Sequence, residues 1–167
     1  HNWLASGWSV VERLNVLSVS LRNLELNNTI SQNFENFTKN NINELVSLDK
    51  SIFDPYWQNS EAAFIETLDS CNQNYLFKQY DEDLLVGYAI LGVTRNFSFL
   101  QRFGISLGYQ NKGHGSELLK NVLSFAKENK YTNIRLNTQE NNKAAKSLYV
   151  KHGFELTKTN FTILNAS

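Results

Sequence analysis

The stretch Gln110-Asn111-Lys112-Gly113-His114-Gly115-Ser116 constrains this chain more than any other. An apolar run, residues 97–107, precedes it, and a helical pattern over residues 116–129 follows. Strand, glycine-bearing turn and helix leave backbone N–H groups free at a helix N-terminus, where the macrodipole also favours an anion. Glycine allows left-handed backbone there and lets a ligand come close, because no Cβ intervenes. No Gly-Lys-[Ser/Thr] is present and the dinucleotide spacing is missing, so neither familiar phosphate fingerprint applies. Taken alone, the stretch is equally an ordinary glycine-rich turn.

Composition narrows the function classes. With 167 residues the expectation is one domain with an adequate core. Formal net charge is zero and Lys and Arg do not cluster, which argues against a nucleic-acid footprint. No apolar run approaches the ~20 residues of a membrane span, and no signal peptide is recognisable. The single cysteine, Cys71, allows no intramolecular disulfide and fits a reducing, cytoplasmic setting, where it reads as a small packing residue. Sequons at Asn36, Asn96 and Asn160 read as chance in an asparagine-rich chain. The chain has no methionine, so His1 is not expected to be the native start.

Along the chain, residues 9–17 have strand composition and Asn27-Asn28-Thr29 reads as a linker. This sets residues 1–30 apart as an N-terminal extension from a domain at residues 31–167. A first strand is expected over residues 32–37. Thr38 then caps a helix whose apolar spacing is Ile42, Leu45, Val46 and Leu48-Asp49. Asp54-Pro55-Tyr56-Trp57 forms a loop, and Asn59 or Ser60 caps a second helix with Ala63-Phe64, Thr67 and Leu68 inward. Residues 75–80 and 84–93 form a hairpin across Asp81-Glu82-Asp83, with Gly87 marking a bulge or close backbone approach. After the central strand and its helix come a strand over residues 133–138 and a short helix over 143–152. Residues 154–159 and 161–164 close the chain as a hairpin or bent pair.

Two motifs in this order carry a family resemblance. Gln110-x-x-Gly113-x-Gly115 is similar to the Q/R-x-x-G-x-G/A pyrophosphate loop of the GCN5-related N-acetyltransferase (GNAT) superfamily. Asn142-x-x-Ala145-x-x-x-Tyr149-x-x-x-Gly153-Phe154 is similar to the segment after that family's next strand. The resemblance spans roughly residues 32–164, and its branch is the bacterial ribosomal-protein-alanine-acetyltransferase-like one. It implies an α/β (α+β) fold: a mixed, twisted sheet flanked by helices and splayed between the fourth and fifth strands counted from residue 32. It also leaves two readings of residues 1–20, the closing strand of a preceding acetyltransferase-like unit or an unrelated extension adding an edge strand.

The implied activity is an acetyl-CoA-dependent N-acetyltransferase, an acyltransferase acting on a primary amine by direct attack in a ternary complex. The alternative is a non-catalytic acyl-CoA-binding module. Coenzyme A is expected to lie on the N–H groups of Gln110, Asn111, Lys112, Gly113, His114, Gly115 and Ser116, with Lys112 adding charge and the His114 side chain pointing outward. Asn142 bridges to the cofactor or caps its helix. Backbone N–H groups near Gly104 and Ile105 polarise the thioester carbonyl. Tyr149 takes the place of the family tyrosine that protonates the departing thiolate. The familiar base glutamates are absent: Phe99 and Asn137 stand at their positions, leaving Glu140, or a water held by Asn137 and Gln139. That absence favours a low-pKa acceptor, since deprotonating a lysine amine at neutral pH costs roughly 4–5 kcal/mol and an α-amine about 1 kcal/mol. Tyr56 and Trp57 are expected to wall the acceptor pocket. No metal, nucleic acid or membrane partner is expected, and the chain reads as a monomer or homodimer.

Overall fold

Apolar alternation and helical spacing generate strands β1 (Trp8–Ser20), β2 (Phe34–Asn36), β3 (Gln73–Asp81), β4 (Leu84–Thr94), β5 (Phe97–Ile105), β6 (Asn133–Gln139) and β7 (Glu155–Ala166). Helices α1 (Ile42–Lys50), α2 (Glu61–Ser70), α3 (His114–Glu128) and α4 (Lys143–Lys151) lie between them. The computed structural model describes residues 8–26, 33–95 and 97–166, with residues 8–12 and 161–166 given by their backbone alone. The linker reading of Asn27-Asn28-Thr29, the domain start at Ser31, the first strand's opening at Gln32 and the sequon at Asn96 lie outside the described residues. No helix among the described residues is long and apolar enough to cross a membrane.

The seven strands form one mixed sheet in the order β2-β3-β4-β5-β6-β1-β7. Only β5 and β6 run parallel; every other neighbouring pair is antiparallel. One face carries α3, whose Leu118, Leu119, Val122, Leu123 and Ala126 are fully buried against Phe77, Leu91, Ile134 and Leu17. Their spacing is one helical stripe, and burying each large side chain contributes on the order of 1.5–3 kcal/mol. The other face packs Ile42, Leu45 and Leu48 of α1 and Phe64 of α2 on Leu76, Tyr88 and Ile90. The Ser60 hydroxyl caps α2 by accepting from Ala63 N–H at 3.1 Å.

Strand β1 is interior, held between β6 and β7, so it is not the edge strand that one sequence reading allowed. It pairs with β6 from Leu14↔Gln139 to Ser20↔Asn133, placing residues 8–20 and the later domain in a single sheet. Of the hairpin or bent pair expected over residues 154–164, the hairpin is absent: a single strand, β7, runs there with β1 as its partner. The reason is not local: Asn160 could serve a turn, but the partner strand comes from the other end of the chain. Asn160 lies opposite Asn15 in the ladder, and Asn15 Nδ2 donates to its Oδ1 at 3.1 Å. The pairing is irregular at one place. Between Leu17↔Leu156 and Asn15↔Asn160, β7 spends Thr157, Lys158 and Thr159 opposite Val16 alone.

The sheet opens where the resemblance places a splay. β5 pairs with β6 from Phe97↔Asn133 to Leu100↔Leu136 and no further. On the other side of β5, Ile90 and Leu91 face Arg102 and Leu100, leaving Gln101 as a bulged residue. A bulge bends its strand and interrupts pairing, so Gln101 sits at the point of divergence. Beyond it β5 stays close to β4. A Cβ on Gly87 would lie 2.4 Å from Ile105 Cδ1 and 2.7 Å from the Gly104 carbonyl oxygen, the close approach read from its glycine.

Candidate functional site

The cleft begins on the α3 side of the parted strands. Gly113 is the N-cap of α3 at φ +88°, and Asn111 is left-handed at φ +61°. A Cβ on Gly113 would meet nothing within 4 Å, so open space lies over the turn. Glu117 N–H donates to the Gly113 carbonyl, whereas no described backbone carbonyl accepts from residues 112–116. Those unspent N–H groups, open space and a helix start make a cradle that a diphosphate fits. The Gln110 side chain anchors the loop by donating to the Ile105 carbonyl at 3.0 Å. Lys112 Nζ lies 5.2 Å over the Tyr109 ring and its charge has no described carboxylate. Gly115 lets α4 close on α3, its Cβ position being 3.3 Å from Leu148 Cδ2.

His114 departs from the outward orientation expected of it. It is half-buried, with Nδ1 3.2 Å from Gln79 Nε2 and Nε2 3.6 Å from Asp81 Oδ2, so it ties the loop to β3. Ser116 Oγ is 3.1 Å from Nε2 of His152 at the end of α4. Burial, helped by the ammonium groups of Lys120 and Lys151, holds the His152 imidazole below its ordinary 6.5. The depressed pKa means that the unfolded chain binds the proton first. Stability from this group is present above about pH 6.5 and is lost as pH falls through the folded pKa. Urea denaturation between pH 5 and 8 is expected to show wild type losing ground to His152→Gln on the acid side alone; parallel pH curves would remove this assignment.

Helix α4 brings Tyr149 to the opening. The ring packs edge-on against Phe103, on the part of β5 that has left β6, and against Phe154, at centroid distances of 5.8 and 5.6 Å. Burial raises the phenol well above its ordinary 10.0, so it stays protonated through the neutral range. No described group hydrogen-bonds its hydroxyl. Asn142 caps α4, its side-chain oxygen accepting from Ala145 N–H at 3.1 Å. Gly104 and Ile105 end β5, with no strand on their β6 side. A Cβ on Gly104 would fall 2.4 Å from Ile52 Cγ2, so larger residues are excluded there.

The opposite face of the opening holds a cavity of about 730 Å3. Helix α2 contributes Ala63, Glu66, Thr67 and Ser70, one helical face by spacing. Strand β5 contributes Gln101 and Arg102, β6 Arg135 and Asn137, and the irregular part of β7 Thr159. Of the expected site residues, Asn137 lines this cavity; Glu140, Tyr56 and Trp57 do not. Glu140 lies past β6, its N–H donating to the Arg13 carbonyl. Tyr56 is 64% exposed and stacks edge-on with Trp57. Trp57 acts through its carbonyl, which accepts from Arg102 Nη2 at 2.6 Å.

Sequence reading missed Glu66, Arg135, Arg102 and Asp49. Asp49 is fully buried and accepts from Tyr88 Oη at 2.5 Å, Arg102 Nε and Nη2 at 3.0 and 2.8 Å, and Asn59 N–H at 2.7 Å. Arg102 also lies 3.8 Å over the Phe53 ring. The network ties α1, the turn before α2, β4 and β5 into one cavity wall. A signal existed: an aspartate inside the apolar stripe of α1 needs a buried partner.

The comparisons bear on the same region. The model of the family described as "Acetyltransferase (GNAT) family" matches residues 42–154, which include the loop, the parted strands and Tyr149. An uncharacterized N-acetyltransferase, YobR of Bacillus subtilis, is 26% identical over 113 residues, covering 68% of this chain and 44% of that protein. Streptothricin acetyltransferase A of Bacillus subtilis is 33% identical over 79 residues, covering 47% of this chain and 46% of that protein. The chain thus spans less than half the length of either curated relative. The crystal structure of PaiA N-acetyltransferase from Thermoplasma acidophilum, in complex with coenzyme A, shares the fold at TM-score 0.61 and 18% identity, covering 81% of this chain and all of that one. With the family model matched across the cleft, the chain belongs to the acetyltransferase (GNAT) family.

Proposed function

We propose that this chain transfers an acetyl group from acetyl-CoA to a primary amine, by direct attack within a ternary complex. One observation carries the reading: β5 and β6 part at Gln101, with an anion cradle on one side and a cavity of mixed apolar and polar lining on the other. Strands that diverge expose N–H and C=O groups that an amide-bearing arm such as pantetheine can pair with. Acetyl-CoA supplies an activated acetyl group, which forms a C–N bond to the amine as its C–S bond breaks.

The chain's own residues divide the remaining work. N–H groups of residues 112–116 hold the diphosphate, and Lys112 adds charge. The Ile105 N–H, which points away from β4 because its neighbour Ser106 donates to the Val86 carbonyl there, faces the carbonyl oxygen as it gains charge, with Gly104 beside it. Tyr149 Oη gives its proton to the leaving sulfur. Glu66, the carboxylate on the cavity wall, takes the proton lost by the amine, directly or through a water held by Asn137. Glu140, outside the cavity lining, is given no part. The acceptor is a peptide N-terminal α-amine, as in the ribosomal-protein-alanine-acetyltransferase-like branch, or a small-molecule amine.

Thiol release from acetyl-CoA, followed with a panel of peptides and small amines, tests the reaction. Acceptor-dependent release is the expected result. Coenzyme A binding by calorimetry without release by any acceptor leaves an acyl-CoA-binding module, and absence of binding at millimolar ligand removes both.

A further inference from the structure

The charges on the cavity wall do not all have partners. Arg102 is spent on Asp49 and the Trp57 carbonyl. Gln101 donates to Cys71 Sγ at 2.9 Å and to Asn74 Oδ1 at 3.2 Å. The hydroxyls of Thr67 and Ser70 donate to carbonyls of their own helix. Two charged side chains remain at the mouth of the cavity, Arg135 on β6 and Glu66 on α2: both are exposed to solvent, and neither is hydrogen-bonded or ion-paired to a described group, so both are free to meet a ligand. Arg135 pairs with Phe99 in the last bonded stretch of β5 and β6, so its strand position is fixed beside the opening. The cavity, about 730 Å3 and open to solvent, has room for a small molecule.

One unmatched cation and one unmatched anion in a common pocket complement a ligand carrying both charges. We infer that the acceptor is a small amine that also bears a carboxylate, seated with its carboxylate on Arg135 and its amine towards Glu66. This rests on the acetyl-transfer reading above and specifies its substrate class. Arginine suits the role because its guanidinium binds a carboxylate through two parallel N–H donors. A polyamine is disfavoured, since Arg135 repels its second ammonium while Glu66 can neutralise only one. A simple amine leaves Arg135 without a counter-charge.

The test uses matched pairs that differ by one carboxylate: histidine with histamine, ornithine with putrescine, and tyrosine with tyramine. Dissociation constants are measured by calorimetry with and without coenzyme A, and kcat and KM are measured with acetyl-CoA. The acid of at least one pair is expected to bind about 10-fold or more tightly than its decarboxylated partner. Arg135→Gln should erase that gap and raise KM for the acid without changing Tm or coenzyme A affinity. Arg135→Lys should keep part of the gap, and Glu66→Gln should weaken both members of a pair alike. Equal affinities within every pair, no binding by any of them, or a gap that survives Arg135→Gln each overturn the inference. Coenzyme A binding and acceptor turnover, read on the same samples, separate this failure from that of the acetyl-transfer reading. Discrimination without turnover leaves the pocket assignment standing and removes the reaction; turnover without discrimination does the reverse.

Discussion

Replacing Tyr149 with phenylalanine is expected to lower kcat for acetyl transfer on the order of 10²–10³-fold, with KM for acetyl-CoA within about threefold of wild type. The hydroxyl has no described hydrogen-bond partner, and its ring is fixed by Phe103 and Phe154. Deleting it therefore removes no structural bond, and unfolding measurements should show Tm unchanged or slightly raised. The same burial that lifts the phenol pKa also destabilises a thiolate beside it, so both sides of the proton transfer shift together. That is how a phenol can serve a leaving group that in water is the stronger acid. A purely structural tyrosine predicts the opposite pattern, with Tm falling and kcat holding. Steady-state kinetics and thermal unfolding of the one variant separate the two, and a kcat within threefold of wild type would sink the acid role.

How far the sequence could be read depends on whether the controlling interaction was local. Strand, turn and helix around Gly113 are set by neighbours in the chain, and the structure departs there by only two residues, with α3 beginning at His114 instead of Ser116. The buried stripe of α3 is a matter of spacing and was fully legible. The place of β1 was not, because strand composition gives no partner: only the sheet reveals that residues 14–20 pair with residues 133–139. The closing hairpin failed for the same reason, its second strand being supplied from the other end of the chain. On the coenzyme side the residues sit in two short motifs, whereas the acceptor side gathers single residues from α2, β5, β6 and β7. Glu66 is a solvent-exposed residue of α2, and only the fold shows that it borders the opening. Tyr56 and Trp57 illustrate the reverse, aromatic residues in a loop that suggested a pocket wall but stack on each other outside the cavity.

Asp49→Ala is expected to cost about 3–5 kcal/mol of stability, the largest loss for a single substitution on the acceptor side of the cleft. The carboxylate accepts four hydrogen bonds, and its side chain is fully buried while that of Arg102 is 16% exposed. Removing it strands a guanidinium and the Tyr88 hydroxyl in a space that water cannot fill well. Since a domain of this size holds roughly 5–15 kcal/mol in total, the variant should melt far below wild type. Asp49→Asn keeps the shape but still leaves Arg102 without a counter-charge, so it should fall between the two. Replacing both partners, Asp49→Leu with Arg102→Met, should recover much of the loss, because the penalty comes from an unpaired charge and not from the absence of an ion pair. Function should not recover with it: the turn at Trp57 and Asn59 loses its tie to β5, and KM for the acceptor should rise more than KM for acetyl-CoA. Urea denaturation of the four proteins decides this. Were Asp49→Ala to lose less than about 1 kcal/mol, the network would be ornamental, and the rigid cavity wall on which the acceptor assignment stands would need another cause.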